Sequence, residues 1–595
     1  MTPALFSGFL WAVLAALLIA ASAWMVRLSH TSRMLASLSH AVTVLFRRGY
    51  WVWFALTLGF AVFCRLYGWP AIPANYHTDG IMSVVDGYAL ARFGTDHYGI
   101  SYPAMMQAWG YGQQSAMMAY LMSLSTRLFG LSVFAMRLPT LIVSLLGVVV
   151  FYDLARRLCG KAYALLALFL LALSPWHILQ SRHALDAYML CHFLLFAIYF
   201  LMLGLKRRPF LYVSMVFFAL SMYCYGVAAY VVPPLLLVLA VYLGARRAVR
   251  PWDLLLCVVI YLALSFPLIL TLFINALGLE TVHLGPITCP YFADSVRSSD
   301  ILFFTEQPFM ERLYANLLCA LRITFLQSSR ALGVDTRFGA FYPFSAPLLC
   351  LGLFLFWRAR RNGELAETVR TDGSLHVRGG FLVLVWTLCA FAGCVITNSV
   401  TAWRANAIYY PLTLLAAYAI WWACRRIRLL VPLFAALYIA AFVVFFPTYL
   451  SESAVATDSQ DSPSGQYQAL AYARTLPFEH LYLTTDAPAD SDYYQYDAPT
   501  VRVLYAFALT PSQYLGEEEI VGANGEPIGY YQDVFEIWPP DYGDYEPDPE
   551  ENAAYVVPDS TLHQFDPDAF HIRRFLSYAV VYPNAMMPVG EEETK

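Results

Sequence analysis

Apolar stretches about as long as a bilayer-crossing helix recur along most of this chain, and every second loop between them is basic. A helix needs roughly 18–20 apolar residues to cross a bilayer, and twelve stretches approach or exceed that: about 4–26, 50–69, 137–157, 162–181, 186–205, 210–224, 228–245, 252–275, 341–357, 380–397, 407–424 and 429–448. The intervening arginine and lysine clusters include Arg27, Arg33, Arg47 and Arg48, then Arg156, Arg157 and Lys161, Lys206–Arg208, Arg246, Arg247 and Arg250, Arg358–Arg361, and Arg425, Arg426 and Arg428. Placing them all in the cytoplasm gives one consistent topology with both termini outside. Hydrophobic residues make up 59% of the chain and charged residues 13%, about half the charged fraction of a soluble domain. The expected class is a polytopic α-helical membrane protein. The amino end lacks the positive charge of a cleaved signal peptide. The expected location is the bacterial plasma membrane, crossed many times.

A net charge of −4 conceals two bodies. Residues 451–595 carry 26 acids against 5 bases, whereas residues 1–450 carry 15 acids against 32 bases. The tail, 449–595, is expected to be a small extracytoplasmic α/β domain. GQYQALAYARTL reads as helix, and HLYLTT, VRVLYAFAL and AAYVV read as strands. PPDYGDYEPDPEEN reads as a loop. Residues 1–49 form an additional span with its basic loop. Residues 50–448 form the main module, with outer loops at 70–136 and 276–340. The eleven cysteines lie mostly in apolar runs and include no C-x-x-C, so neither a zinc site nor a disulfide framework is indicated.

No carboxylate lies near mid-membrane. Asp153 and Asp253 fall near cytoplasmic span ends and Asp186 near an outer one, which weighs against ion-coupled transport. Polar residues gather instead on the outer side. The first outer loop holds Asp79, Asp86, Asp96 and His97, and its piece 113–129 reads as an interfacial helix. Arg137, Trp176, His177, Arg182, Arg404 and Asn406 stand at the outer ends of later spans. Acids and arginines at one interface suit a reaction in which a base deprotonates an acceptor and cations hold a phosphate. Each has a structural alternative. Asp79 could cap the helix that follows it, Arg137 could anchor at the interface, and His177 could pair with Trp176 in an aromatic belt. Asp490-Ser491-Asp492 matches a D-x-D pattern, but in an acidic extracytoplasmic loop that match is weak. No nucleic-acid partner is implied.

The order HTDG (77–80), GTDHYG (94–99), FGLSVFAMRLP (129–139), SPWHILQSR (174–182), YCYGVAAYVVPP (223–234) and WRANAIYYP (403–411) resembles the GT-C membrane glycosyltransferases. The resemblance is to the protein O-mannosyltransferase and aminoarabinose-transferase branch. It implies a sugar donor on a polyprenyl monophosphate and inverting transfer on the outer face to a glycan, lipid or protein acceptor. Asp79 would be the general base. Arg137 would lie near the donor phosphate, with Arg182, Arg404, Asn406 and His177 as companions on the donor side. Asp86, Asp96 and His97 would support the acceptor or the first loop. No cofactor or metal is required, because arginine can neutralise the leaving phosphate. The chain departs from the family at Gly80, where a glutamate often follows the aspartate, so Asp86 or Asp96 would have to take over that role. Two other functions stay open: a lipid-linked-sugar flippase or transporter, and a surface-polysaccharide polymerase or ligase using a lipid diphosphate.

Overall fold

The computed structural model describes residues 44–45, 48–108, 112–293, 308–326, 337–362, 367–369, 376–397, 399–459, 462–484, 497–538 and 547–586. The span expected at 4–26, Arg27, Arg33 and Arg47 after it, and Asp490-Ser491-Asp492 lie outside those residues. Among the described residues, six helical segments are long and apolar enough to cross a membrane: Val133–Cys159 (α4), Ala187–Gly204 (α7), Ala228–Ala245 (α9), Pro251–Leu277 (α10), Asn406–Arg426, whose α-helical part is Tyr409–Arg426 (α14), and Leu430–Ser453 (α15). Five shorter apolar helices stand at the other expected positions: Tyr50–Leu66 (α1), Lys161–Leu173 (α5), Pro209–Met222 (α8), Ala346–Asn362 (α12) and Gly379–Val395 (α13). The stretch read as one span at 162–181 is broken. Ser174 is extended (φ −70°, ψ 123°) and Pro175 starts a separate short helix, Pro175–Gln180 (α6), because a residue before proline disfavours the helical region.

The loop between α1 and α4 contains two packed helices, Thr78–Phe93 (α2) and Ala116–Phe129 (α3). The second is helical where the sequence predicts a helix at 113–129. Asp79 is not the cap of α2. His77 is, its Nδ1 accepting the Asp79 N–H at 3.1 Å.

A buried polar chain crosses the bundle and joins five helices. Arg65 on α1 donates from Nε and Nη2 to His177 Nδ1 on α6 (3.1 and 3.0 Å). His177 Nε2 meets the Tyr410 hydroxyl on α14 at 2.9 Å, that hydroxyl meets His192 Nδ1 on α7 at 2.8 Å, and His192 Nε2 meets Ser144 Oγ on α4 at 3.1 Å. Arginine can only donate, so His177 accepts at Nδ1 and carries its proton on Nε2. The direction then propagates through Tyr410 and His192 to Ser144. Gly147 makes room for this chain, since a Cβ there would lie 2.5 Å from the Tyr410 hydroxyl and 2.8 Å from His192 Nδ1.

The tail folds around a five-stranded sheet of order β2-β1-β3-β5-β4, built from His480–Thr484 (β1), Phe535–Trp538 (β2), Ala553–Pro558 (β3), Phe570–Phe575 (β4) and Tyr578–Pro583 (β5). β1 pairs in parallel with β2 and β3, and the β3–β5 and β5–β4 pairs are antiparallel. β3 and β5 are buried at every position, because the helix Ser464–Ala473 (α16) covers one face and Trp538, Phe565 and Phe570 fill the other. HLYLTT and AAYVV are strands as expected. VRVLYAFAL is not: it lies in the helix Asp497–Phe507 (α17) and the turn after it. α17 packs against α2 of the first loop, burying Val501, Val503 and Leu504, and that tertiary contact overrides the strand propensity of valine and tyrosine.

The polar chain makes a specific demand on Gly147. Gly147→Ala is expected to lower the midpoint of thermal unfolding in detergent by several degrees, in line with the roughly 1–3 kcal/mol cost of an overpacked buried site. An unchanged midpoint would show that the Tyr410–His192 contact has slack.

Candidate active site

Asp79 occupies the second position of α2, where the amino end of the helix favours an ionised carboxylate. Its side chain is 22% exposed and lies 3.6 Å from His77 Nδ1. The other two first-loop acids are enclosed. Asp86 Oδ1 meets His97 Nδ1 at 2.6 Å and also accepts the His97 N–H at 3.2 Å. Asp96 Oδ1 accepts the N–H groups of Tyr98 (3.0 Å) and Ile100 (2.8 Å). The Oδ2 atoms of both acids are buried without hydrogen-bond partners. Burial and the neighbouring Asp86 charge push the Asp96 carboxyl up to about 7, against the opposing pull of His97 and the two amides. The cluster braces the loop, and Tyr514 of the tail lies against His97 and Tyr98.

Gly80 has a steric explanation. A Cβ at that position would lie 2.4 Å from the Ala184 carbonyl oxygen, so α2 can approach the turn after α6 only if residue 80 has no side chain. A glutamate following Asp79 would not fit. Asp86 and Asp96, considered as its replacements, are engaged in the loop brace.

The arginines expected at a donor phosphate are engaged elsewhere. Arg137 is 1% exposed; its Nη1 donates to the carbonyls of Pro70 (2.5 Å) and Pro73 (2.6 Å), and its Nη2 to Asn75 (2.7 Å). Arg182 is fully buried. It donates from Nη1 to Cys64 (3.1 Å) and Arg65 (3.2 Å), and from Nη2 to Tyr67 (2.7 Å) and Ile72 (2.9 Å), which caps the carbonyl end of α1. Main-chain oxygens take the terminal nitrogens of both arginines, while the Nε of each is buried without a partner. His177 belongs to the buried polar chain. Asn406 is buried and ties the start of α14 to the Ala187 carbonyl. Arg404 is half-buried, with Nη1 on the Ser399 carbonyl (3.0 Å) and hydroxyl (2.6 Å). The structure therefore brings Asp86, Asp96 and His97 together, and sets Arg137 on the strand of chain just before Asp79. Arg404 stands at the turn between α13 and α14.

Several functional residues were not anticipated. Arg65 is one, although a charged residue inside an apolar run is itself a signal. His183 is another; burial and the Arg137 guanidinium push its imidazole down to about 3. The tail supplies more. Asn75 bonds Thr457 in both directions (2.9 Å each), Tyr76 packs edge-on to Tyr467 at 5.8 Å, and Tyr467 and Arg502 lie over the start of α2. No local pattern marks these tail residues. Among the described residues, no group of three His, Cys, Asp or Glu side chains could hold a metal ion.

Residues 113–270 match the family model described as dolichyl-phosphate-mannose-protein mannosyltransferase. The crystal structure of ArnT from Cupriavidus metallidurans in the apo state aligns with 90% of this chain and 99% of its own, at 15% identity and a TM-score of 0.54. The same protein bound to undecaprenyl phosphate aligns with 91% of this chain and 99% of its own, at 15% identity and a TM-score of 0.53. The chain has the GT-C fold. No curated protein sequence matches it. The GT-C likeness extends over the tail as well as the bundle. The family match begins after Asp79 and includes Arg137, His177 and Arg182.

The loop brace has a measurable pH signature. Asp96 binds its proton more tightly in the folded protein than in the unfolded chain, where a carboxylate titrates near 4. The fold therefore loses stability as pH rises from about 4 to about 7. Asp96→Asn keeps the acceptor oxygen for both amides. It is expected to flatten that decline and to raise the thermal midpoint at pH 8 by a few degrees. A variant whose midpoint tracks the parent across this range would place the raised group elsewhere.

Proposed function

We propose that this protein is a membrane glycosyltransferase that moves a sugar from a polyprenyl-monophosphate donor to an acceptor on the outer face, with inversion, using Asp79 as general base. The observation that carries the reading is the division among the first-loop acids. Asp86 and Asp96 are enclosed, while Asp79 reaches the surface at the amino end of α2. The GT-C fold and the family match support the reaction class. The ArnT structure with undecaprenyl phosphate supports a lipid-borne donor.

In this mechanism an acceptor hydroxyl gives its proton to Asp79 as its oxygen attacks the anomeric carbon. The bond from that carbon to the phosphate oxygen breaks on the opposite face, and the polyprenyl phosphate leaves as an anion without needing a general acid. The helix amino end at Asp79 is a site where negative charge is favoured. Arg137 and Arg182 act one step back, by fixing the chain that leads into α2. Arg404 is the arginine of the expected set that is not enclosed, and we assign it to the leaving phosphate.

Purified protein given a radiolabelled polyprenyl-phosphate sugar should release polyprenyl monophosphate. Asp79→Asn should bind donor normally and lose at least about a hundredfold in turnover. Wild-type turnover in that variant would remove Asp79 from the mechanism, and release of lipid diphosphate alone would assign the donor to a different class.

A further inference from the structure

The loop between α10 and α12 sends a helix, Phe309–Leu321 (α11), to the turn that carries Arg404. Its run LYANLLCAL (313–321) holds a single amide among apolar residues. That amide, Asn316, is 4% exposed. Its Nδ2 donates to the Val395 carbonyl at 3.0 Å and also to the Thr397 carbonyl. The first bond serves one of the carbonyls that the end of α13 leaves without a helical partner. The second lies beyond the helix and fixes the turn itself. Thr397 carries the contact onward, with Oγ1 at 2.9 Å from the Ser399 carbonyl and 2.7 Å from the Cys394 carbonyl. Ser399 in turn accepts from Arg404 Nη1 at its carbonyl (3.0 Å) and its hydroxyl (2.6 Å). α11 braces the same turn a second time. Cys319 Sγ meets the Val400 carbonyl at 3.3 Å, and Ala320 and the following Ile323 cluster with Val395, Val400 and Ala405.

We propose that Asn316 is a positioning residue for Arg404, acting through Thr397 and Ser399 to set the guanidinium that takes the leaving phosphate. The proposal rests on the assignment of Arg404 to that phosphate, and deepens it by giving the α10–α12 loop a role in donor binding. An amide that served only to cap α13 would need its bond to Val395 and no other. The bond to Thr397 starts a continuous path of contacts to Arg404. The path matters because a guanidinium is planar: two oxygens of Ser399 on one terminal nitrogen fix the plane in which its other N–H groups lie. An arginine held in this way has less freedom to lose when a phosphate arrives. Without the Asn316 donor, two carbonyls beside α11 lose their partner, and the turn is free to move toward other donors.

The test compares two lipids on the intact protein in detergent. Native mass spectrometry, titrating undecaprenyl phosphate and separately undecaprenol, gives a dissociation constant with and without the phosphate. Arg404→Ala should weaken undecaprenyl phosphate at least about tenfold and leave undecaprenol unchanged. Asn316→Leu keeps a branched shape and removes the donor. It should weaken undecaprenyl phosphate about fivefold, again with undecaprenol unchanged, and should add nothing in the Arg404→Ala background. Thr397→Val should behave as Asn316→Leu does, and carries the test should Asn316→Leu fail to fold. Equal weakening of both lipids, or an effect that persists without Arg404, overturns the proposal. Normal phosphate binding in Asn316→Leu and Thr397→Val, with Arg404→Ala impaired, overturns the positioning role alone. Normal binding in Arg404→Ala removes the phosphate assignment and the proposal with it.

Discussion

Three buried arginines with no carboxylate among their hydrogen-bond partners hold one end of this bundle together. Arg65 donates to the carbonyls of Ala61, Leu171 and Ala172 as well as to His177, Arg182 caps the end of α1, and Arg137 gathers the carbonyls of residues 70, 73 and 75. An isolated buried charge is costly. Here it is offset by main-chain dipoles, several at helix carbonyl ends where partial negative charge collects. Because the loop from α1 to α2 has little regular structure of its own, these bonds set its path and so the place where α2 begins. Removing any of the three would leave a set of buried carbonyls without donors.

This arrangement explains what could and could not be read from the residues. The spans were legible because hydropathy and loop charge agree along the whole chain. The positions of Arg137 and Arg182 at span ends were legible too, but their partners were not. A guanidinium fork fits a phosphate and a pair of carbonyls about equally well, and only the fold decides which it meets. The misreading of VRVLYAFAL has a similar origin, since its helix is stabilised by a partner helix some 400 residues earlier. Tyr467 and Arg502 were illegible for that reason, as their significance depends on a contact between two domains.

Gly80 shows how a departure from a family pattern can be read physically. Without a side chain at residue 80, α2 packs directly on the Ala184 carbonyl, and the first-loop acids then divide by depth. Asp86 and Asp96 are drawn inward with His97 to brace the loop, and Asp79 is left at the rim. The loop brace in turn receives Tyr514 of the tail, so the acids that do not reach the surface still help to fix the body that covers the one that does.

The tail therefore contacts the first loop at two places, through Tyr514 at the brace and through Tyr467 and Arg502 at the start of α2. Its strongly acidic composition sets like charges beside the first-loop carboxylates, and like charges raise a carboxylate's proton affinity. Arg502 is the one base among the described residues of the tail that is buried, and it is buried at that contact. Held by Gln466 inside a domain with 26 acids and 5 bases, its positive charge raises the local potential that the surrounding acids lower.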